Sequence, residues 1–371
     1  MTVATLSRTP LHALHLRLGA RMAPFAGYDM PIHYQTGIVA EHLHTRAGAG
    51  LFDVSHMGQA LLSGPNAAAR LETLVPADIQ GLKPGRIRYA LLLDADGGIL
   101  DDLMVTRLDE SGDRLLLVVN AARKAHDLAL IGNALPDLTL TALPDRALLA
   151  LQGPRAADAL GRLWPEVAAM PFMSFSVLRS EGGAPVWASR SGYTGEDGFE
   201  LSAPPDAALP LAERLLADPD VKPVGLGARD SLRLEAGLCL YGHDIDHTTD
   251  PVAAGLAWSV GKRRREEGGF PGAAAVLAAL KQGADRRRVG LLLDGRAVAR
   301  EGAEIARPDG SVVGRVTSGT HSPSLNRPIA MGYVSPDAAT PGEALHVLVR
   351  GKPAPARVAP PPFVPHRYFR G

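Results

Sequence analysis

The sequence predicts an α+β protein of more than one domain, in which two related strand, turn and helix units precede a C-terminal β-rich region. Three observations lead there. The chain has 371 residues, and one hydrophobic core seldom grows past about 250–300 residues. A short pattern occurs twice: Gly64-Pro65-Asn66-Ala67-Ala68-Ala69-Arg70-Leu71 reappears as Gly153-Pro154-Arg155-Ala156-Ala157-Asp158-Ala159-Leu160, and both copies run on to a leucine (Leu74, Leu163) and a proline (Pro76, Pro165). From Val289 onward the chain reads as short strands separated by Gly and Pro turns.

Each copy of the repeat follows an apolar segment, residues 59–62 or 147–151. Proline then sits where a first helical turn tolerates it, with leucines three apart on one helix face. The alternative is a chance likeness between two Ala-rich helices. Between the copies, residues 88–93 and 99–108 are strand-like and flank Asp94-Ala95-Asp96-Gly97-Gly98, whose composition suits a hairpin turn. A second hairpin is expected from residues 186–191 and 199–202 around Thr194-Gly195-Glu196-Asp197-Gly198, and residues 228–240 carry a helical pattern. After Trp258, Lys262-Arg263-Arg264-Arg265-Glu266-Glu267 and Gln282-Gly283-Ala284-Asp285 bracket a short Ala/Leu helix. The β-domain is expected to start near residue 285.

Composition excludes several classes of function. Hydrophobic residues make up 46% and charged residues 21% of the chain, the balance of a globular rather than a disordered protein. Lys plus Arg equals Asp plus Glu, 39 against 39, so no global field draws the chain to nucleic acid or to an anionic bilayer. A single cysteine, Cys239, cannot form an internal disulfide, which points to a reducing compartment. Residues 1–10 lack the pattern of a secretory signal, and apolar runs such as 147–151 fall far below the ~20 residues of a membrane span. A soluble protein is expected.

Familiar nucleotide and metal motifs are missing. No phosphate-loop spacing occurs, and Gly225-Leu226-Gly227 lacks a third glycine. His42 and His44 diverge on a helix without a carboxylate or cysteine to complete a metal set, so they read as surface histidines. Asp94-Ala95-Asp96-Gly97 lacks the glycine and glutamate positions of a calcium loop, and Cys239 reads as an inert thiol in an apolar helical run. What remains is a group of acids and aromatics at glycine-rich turns. Of Asp101 and Asp102 only one can face inward, because strand residues alternate; the alternative is that both are solvated. Ser191-Gly192-Tyr193-Thr194-Gly195-Glu196-Asp197-Gly198-Phe199-Glu200 joins a stacking face to carboxylates that suit the N–H edge of a planar heterocycle, or it is an acidic turn. Arg229 and Arg233 share one helix face, where they hold a carboxylate ligand or pair with Asp230 and Glu235.

These segments together resemble the aminomethyltransferases of the glycine cleavage system. The likeness is carried by Phe52-Asp53-Val54-Ser55-His56-Met57-Gly58, Asp96-Gly97-Gly98-Ile99-Leu100-Asp101-Asp102-Leu103, Gly192-Tyr193-Thr194-Gly195-Glu196-Asp197-Gly198, Gly227-Ala228-Arg229-Asp230-Ser231-Leu232-Arg233-Leu234-Glu235, and Val316-Thr317-Ser318-Gly319 with Ala330-Met331-Gly332-Tyr333. It implies a three-domain cloverleaf around a folate channel, two related α/β domains followed by a C-terminal β-barrel. The expected division is a discontinuous first domain of residues 1–55 and 149–260, an inserted domain 56–148, a linker helix 261–284 and the barrel 285–371. The resemblance makes Asp102 the catalytic carboxylate and Glu200 the acceptor for pterin N–H groups. Met57, Leu61, Tyr89, Met104, Asn120 and Tyr193 match folate-pocket positions, Arg229 a folate-holding residue and Tyr368 a C-terminal contact.

The implied reaction moves the methylene carbon of an aminomethyl group from the dihydrolipoyl arm of a carrier, the H-protein, to tetrahydrofolate. Its products are 5,10-methylenetetrahydrofolate and ammonia; no metal, nucleic acid or membrane takes part. The implied compartment is the bacterial cytoplasm, or the mitochondrial matrix in a eukaryote. The alternatives are a folate-dependent demethylase and a non-catalytic folate-binding protein. Residues 262–265 and 286–288 are candidates for docking an acidic carrier, with solvated linkers as the alternative.

Overall fold

The computed structural model describes residues 5–179 and 183–371; the first four residues of the chain start considered above lie outside them. A six-stranded sheet has the spatial order Ser174–Leu178, Val186–Arg190, Gly198–Ala203, Ala147–Gln152, Ala49–Asp53 and Val221–Pro223. The chain leaves this sheet after Asp53 and returns at Ala147. In between it forms a five-stranded sheet in the order Ile87–Leu93, Ile99–Arg107, Arg114–Val119, Gly58–Ser63 and Thr139–Ala142.

Alternation along the central strands explains how each sheet is covered. In Ala147–Gln152 every residue is buried. Ala147, Leu149 and Leu151 pack on one face with Ala208, Leu211 and Leu215 of helix Pro205–Leu216, while Leu148 and Ala150 pack on the other with Ala228 and Leu232 of helix Leu226–Glu235. An unbroken apolar strand is what two covered faces require. In the five-stranded sheet, Leu62, Leu103, Val105, Leu115 and Leu117 build one core with Ile131 and Leu135 beside helix Lys124–Ala134. The residues between them turn the other way, toward the first sheet.

Both copies of the repeated pattern take the expected form. Strand Gly58–Ser63 leads through Gly64 to helix Ala67–Leu71, and strand Ala147–Gln152 through Gly153 to helix Ala156–Gly161. The two glycines share a conformation, φ 142° and 133°, that side-chain-bearing residues rarely adopt. The hairpin Ile87–Leu93 with Ile99–Arg107 forms as read, and so does Val186–Arg190 with Gly198–Ala203.

The C-terminal region is a closed six-stranded barrel of Arg287–Leu293, Arg327–Val334, Val312–Ser322, Glu304–Ala306, Ala344–Val349 and Lys352–Ala359. Leu291, Leu293, Ile305, Ala330 and Val347 fill it. Helix Ala273–Gln282 precedes it. Among the described residues no helix is long and apolar enough to cross a membrane.

Three expectations need correction. The helix read over 228–240 ends at Glu235, because Gly237 turns into the left-handed region at φ 70°. Cys239 therefore lies beyond the helix; it is buried, and burial pushes its thiol up to about 12. His42 is no surface histidine: it is fully buried, bonded to Ser231 Oγ at 2.7 Å and Ser324 Oγ at 3.1 Å.

Much of the basic clusters is committed inside the fold. Arg263 binds Glu72 at 2.6 Å and Asp78 at 2.8 Å. Arg264 and Arg265 donate to the carbonyls of Glu72 and Ala257, at 2.8 and 2.6 Å. Arg286 donates to the carbonyl of Thr248 at 2.7 Å and Arg288 to that of Ala254 at 2.7 Å.

Candidate active site

A bulge sets the acid pair. In the hairpin Leu93 faces Ile99 but Leu92 faces Asp101, so Leu100 is an extra residue and the following side chains are re-aimed. From there alternation sends Asp101, Leu103 and Val105 to the core side, where all three are buried. Asp102, Met104 and Thr106 take the opposite face.

Asn120, just past strand Arg114–Val119, ties the two acids together. Its Nδ2 donates to Asp102 Oδ1 at 2.8 Å, Asp101 Oδ1 at 2.9 Å and the Asp102 carbonyl at 3.1 Å. Its backbone N–H donates to Asp101 Oδ2 at 3.2 Å. Burial, then the charge of Asp101, pushes Asp102 up to about 7, against the pull of hydrogen bonds from Asn120 and Tyr89. Tyr89 lies directly across the ladder from Met104. Its ring meets Trp258 at 5.3 Å, and Trp258 is 63% exposed.

Opposite this face stands the glycine-rich turn. A Cβ on Gly192 would lie 1.8 Å from Gln152 Oε1, so only glycine lets the chain pass there and carry Tyr193 inward. The Tyr193 hydroxyl donates to the carbonyl of Cys239, and the Arg229 guanidinium lies 4.8 Å from its ring centroid. Glu200, on strand Gly198–Ala203, accepts a hydrogen bond from Ser191 Oγ at 2.7 Å. Glu200, Met104, Gln59, Val118, Phe175 and Trp187 line a narrow cleft between the two sheets.

Three buried polar atoms around this region have no partner among the described residues: Gln59 Oε1, Arg229 Nη1 and His56 Nδ1. Buried polar groups are normally paired. Burial lowers the affinity of Arg229 for its proton, partly offset by the charge of Glu200. An acceptor-bearing ligand that fills the space would satisfy this arginine, and a planar ring with N–H groups suits Glu200. The donor and acceptor chemistry of these residues is compatible with a folate.

The remaining site residues read from the sequence fall as follows. Leu61 sits across from Leu116, on the same side of its strand as Gln59. Met57 packs against the core of Phe52, Leu148 and Leu232. Tyr368 stacks on Phe172 with centroids 4.0 Å apart and planes 6° from parallel. Arg233 takes the structural role: it binds Asp244 at 2.5 Å, Asp230 at 2.8 Å and Ser318 Oγ at 2.9 Å. Sequence reasoning missed Asp127, Gln59 and Trp258. Asp127 reads as an acid in the first turn of a helix, which the helix dipole explains by itself.

Glu235 braces the surroundings. It accepts from Arg46 Nη2 at 2.8 Å, Ser322 Oγ at 2.6 Å and Ser324 Oγ at 2.7 Å, with His42 Nε2 at 3.1 Å. Burial works to raise its pKa, but these bonds, His42 foremost, hold it down at about 2.

Comparison with known proteins agrees with this geometry. Residues 11–264 match the family described as "GCVT N-terminal domain", and residues 286–365 the family described as "Glycine cleavage T-protein C-terminal barrel domain". The human "Aminomethyltransferase, mitochondrial" is 45% identical over 372 residues, covering 98% of this chain and 91% of its own. The Gallus gallus protein of the same description is 46% identical, covering 98% and 94%. The crystal structure of the glycine cleavage system aminomethyltransferase T from Bartonella henselae superposes with a TM-score of 0.93 at 44% identity, covering 98% of this chain and 100% of that one. With both family matches and full-length likeness in sequence and structure, this chain belongs to the glycine cleavage T-protein family of aminomethyltransferases.

Proposed function

We propose that this enzyme moves the methylene carbon of the aminomethyl group on the dihydrolipoyl arm of an H-protein to tetrahydrofolate, with Asp102 as the catalytic carboxylate. The observation that carries the reading is Asp102 itself: a carboxyl held by Asn120 and Tyr89, on the sheet face that also presents Met104 to the Glu200-lined cleft. In the transfer the carbon loses its bond to the amino nitrogen, which leaves as ammonia, and its bond to the carrier sulfur, which leaves as the dihydrolipoyl thiol. It gains positive charge as these bonds break. A fixed negative group beside that carbon stabilises the charge as it develops. Asn120 and Tyr89 orient the Asp102 oxygens, so that no reorganisation is needed during the step.

Tetrahydrofolate supplies the two nitrogens, N5 and N10, that take up the carbon. Glu200 accepts its pterin N–H groups, Tyr193 offers a flat wall and Arg229 faces an acceptor. Met57, Leu61, Tyr89, Met104 and Asn120 complete the pocket, with Tyr368 as the C-terminal contact. The domain boundaries belong to the same proposal, supported by the return of the chain at Ala147 to the sheet it left at Asp53. The proposed compartment is the bacterial cytoplasm, or the mitochondrial matrix in a eukaryote.

The test is ammonia release from an aminomethyl-loaded, lipoylated H-protein. Release is expected to require both the carrier and tetrahydrofolate. Equal turnover on a free methylated amine without carrier would replace this reading by a demethylase.

A further inference from the structure

Asp102 has a partner acid that the proposed reaction does not use. Asp101 faces away from the cleft and is fully buried, and so is Asp127 on helix Lys124–Ala134. Asp127 lies near enough to Asp101 to raise its hold on a proton through side-chain contact and charge. Yet Asp127 Oδ2 is buried with no donor among the described residues. Its Oδ1 lies 3.0 Å from His126 Nδ1. That nitrogen also lies 2.9 Å from Arg123 Nη2, and a neutral imidazole nitrogen that accepts from arginine cannot donate to the acid as well. An ionised carboxylate only accepts hydrogen bonds, and two like charges in contact cannot both stay ionised when buried. One proton between the two acids removes the like-charge contact and can supply the hydrogen that Asp127 Oδ2 lacks.

We propose that Asp101 and Asp127 share a single proton and form a pair of net charge minus one behind Asp102, Asp101 acting as a positioning residue through Asn120. The shared Asn120 Nδ2 is the mechanical link, since it donates to Asp101 and Asp102 at once. The charge of Asp101, which raises Asp102 when both are ionised, is absent while Asp101 holds the shared proton. This inference rests on the reading of Asp102 as that carboxylate.

The surroundings of the pair are mixed in charge. Asp102 lies on the same strand, and Arg123, His126 and Asp127 come from the helix side. Tyr241, with Asp246 behind it, comes from the segment after helix Leu226–Glu235. Arg123 donates to the Leu100 carbonyl at 3.1 Å and lies 5.5 Å from the Tyr241 ring centroid. Burial, then the contact with Asp127, pushes Asp101 up to about 8, while burial raises Asp127 to about 6. Between those values one of the two keeps its proton.

Infrared spectroscopy of the full-length protein tests this directly. Because Asp102 itself takes up a proton near pH 7, the band is read in the Asp102→Asn protein. A protonated-carboxyl carbonyl band is expected there at pH 7, lost when Asp101→Asn or Asp127→Asn is added, and fading above about pH 8. In carrier-dependent turnover, Asp101→Asn mimics the protonated acid and is expected to exceed Asp101→Ala by about tenfold or more, as loss of orientation at a reacting centre requires. Its alkaline limb is expected to lose the ionisation near pH 8 seen in wild type. If the band is missing from Asp102→Asn at pH 7, or if it persists when either pair substitution is added to that background, the shared proton is overturned. Should either pair variant fail to fold, the other is read on the same band. Full turnover by Asp102→Asn with the band intact would sink the catalytic assignment and leave the pair standing.

Discussion

Replacing Asp102 by asparagine keeps the shape of the side chain and removes its charge. The size of the loss follows from electrostatics: two unit charges about 4 Å apart at an effective dielectric constant near 20 interact by about 4 kcal/mol. At about 1.4 kcal/mol per decade, turnover is expected to fall by roughly a thousandfold. Folate affinity is expected to change little, because the ring-binding acceptor is Glu200, on a different sheet. The assay is ammonia release with loaded carrier, alongside a tetrahydrofolate titration by calorimetry. Wild-type turnover should also drop as pH falls through about 7, the value to which burial raises Asp102, since the ionised fraction shrinks below it. A loss smaller than about tenfold, or an equal collapse of folate binding, would refute the electrostatic role.

Three further outcomes follow from the geometry. Glu200→Ala removes a charged acceptor, a bond worth about 1.5–3 kcal/mol, so the tetrahydrofolate dissociation constant should rise by roughly ten- to a hundredfold; an unchanged titration would take Glu200 out of the pocket. Arg233→Met leaves Asp244 buried without its partner, which should cost about 3–5 kcal/mol in denaturant unfolding. Glu235 has its pKa lowered to about 2, so its contribution is fully present above the unfolded value of about 4.3 and is lost as pH falls toward 2. Glu235→Gln should lower the melting temperature at pH 7 and flatten its decline in acid, and parallel melting curves for the two proteins would contradict this.

Local chemistry made much of this molecule legible before any coordinates. The first hairpin could be read because Asp94 has a local job: its Oδ1 accepts the backbone N–H groups of Asp96 and Gly98 at 2.9 and 2.8 Å, the kind of turn that Asp and Gly encode. The repeated pattern was legible because Gly64 and Gly153 need the same unusual backbone conformation. His42 was misread because its partners, Ser231 and Ser324, stand 189 and 282 positions away along the chain. The early end of helix Leu226–Glu235 was hidden by apolar residues that continue past Gly237, where Cys239 is buried by packing with Leu91, Leu93 and Ile245 rather than by helical periodicity. The acid pair announced itself as a pair, but the role of Asp101 depends on Asp127, and no local spacing connects the two.

The Glu235 brace has a mechanical consequence. Its carboxylate gathers Arg46 and His42 from helix Ile38–Ala47 and the hydroxyls of Ser322 and Ser324 from the barrel, while its backbone carbonyl accepts the N–H groups of Phe363 and Val364. One residue thus clasps the opening segment, the barrel and the closing segment. A cut in the loop before the barrel would not by itself release a fragment, and heat should melt these parts together in one cooperative step. The scaffold behind the cleft then stays stiff while reactants come and go.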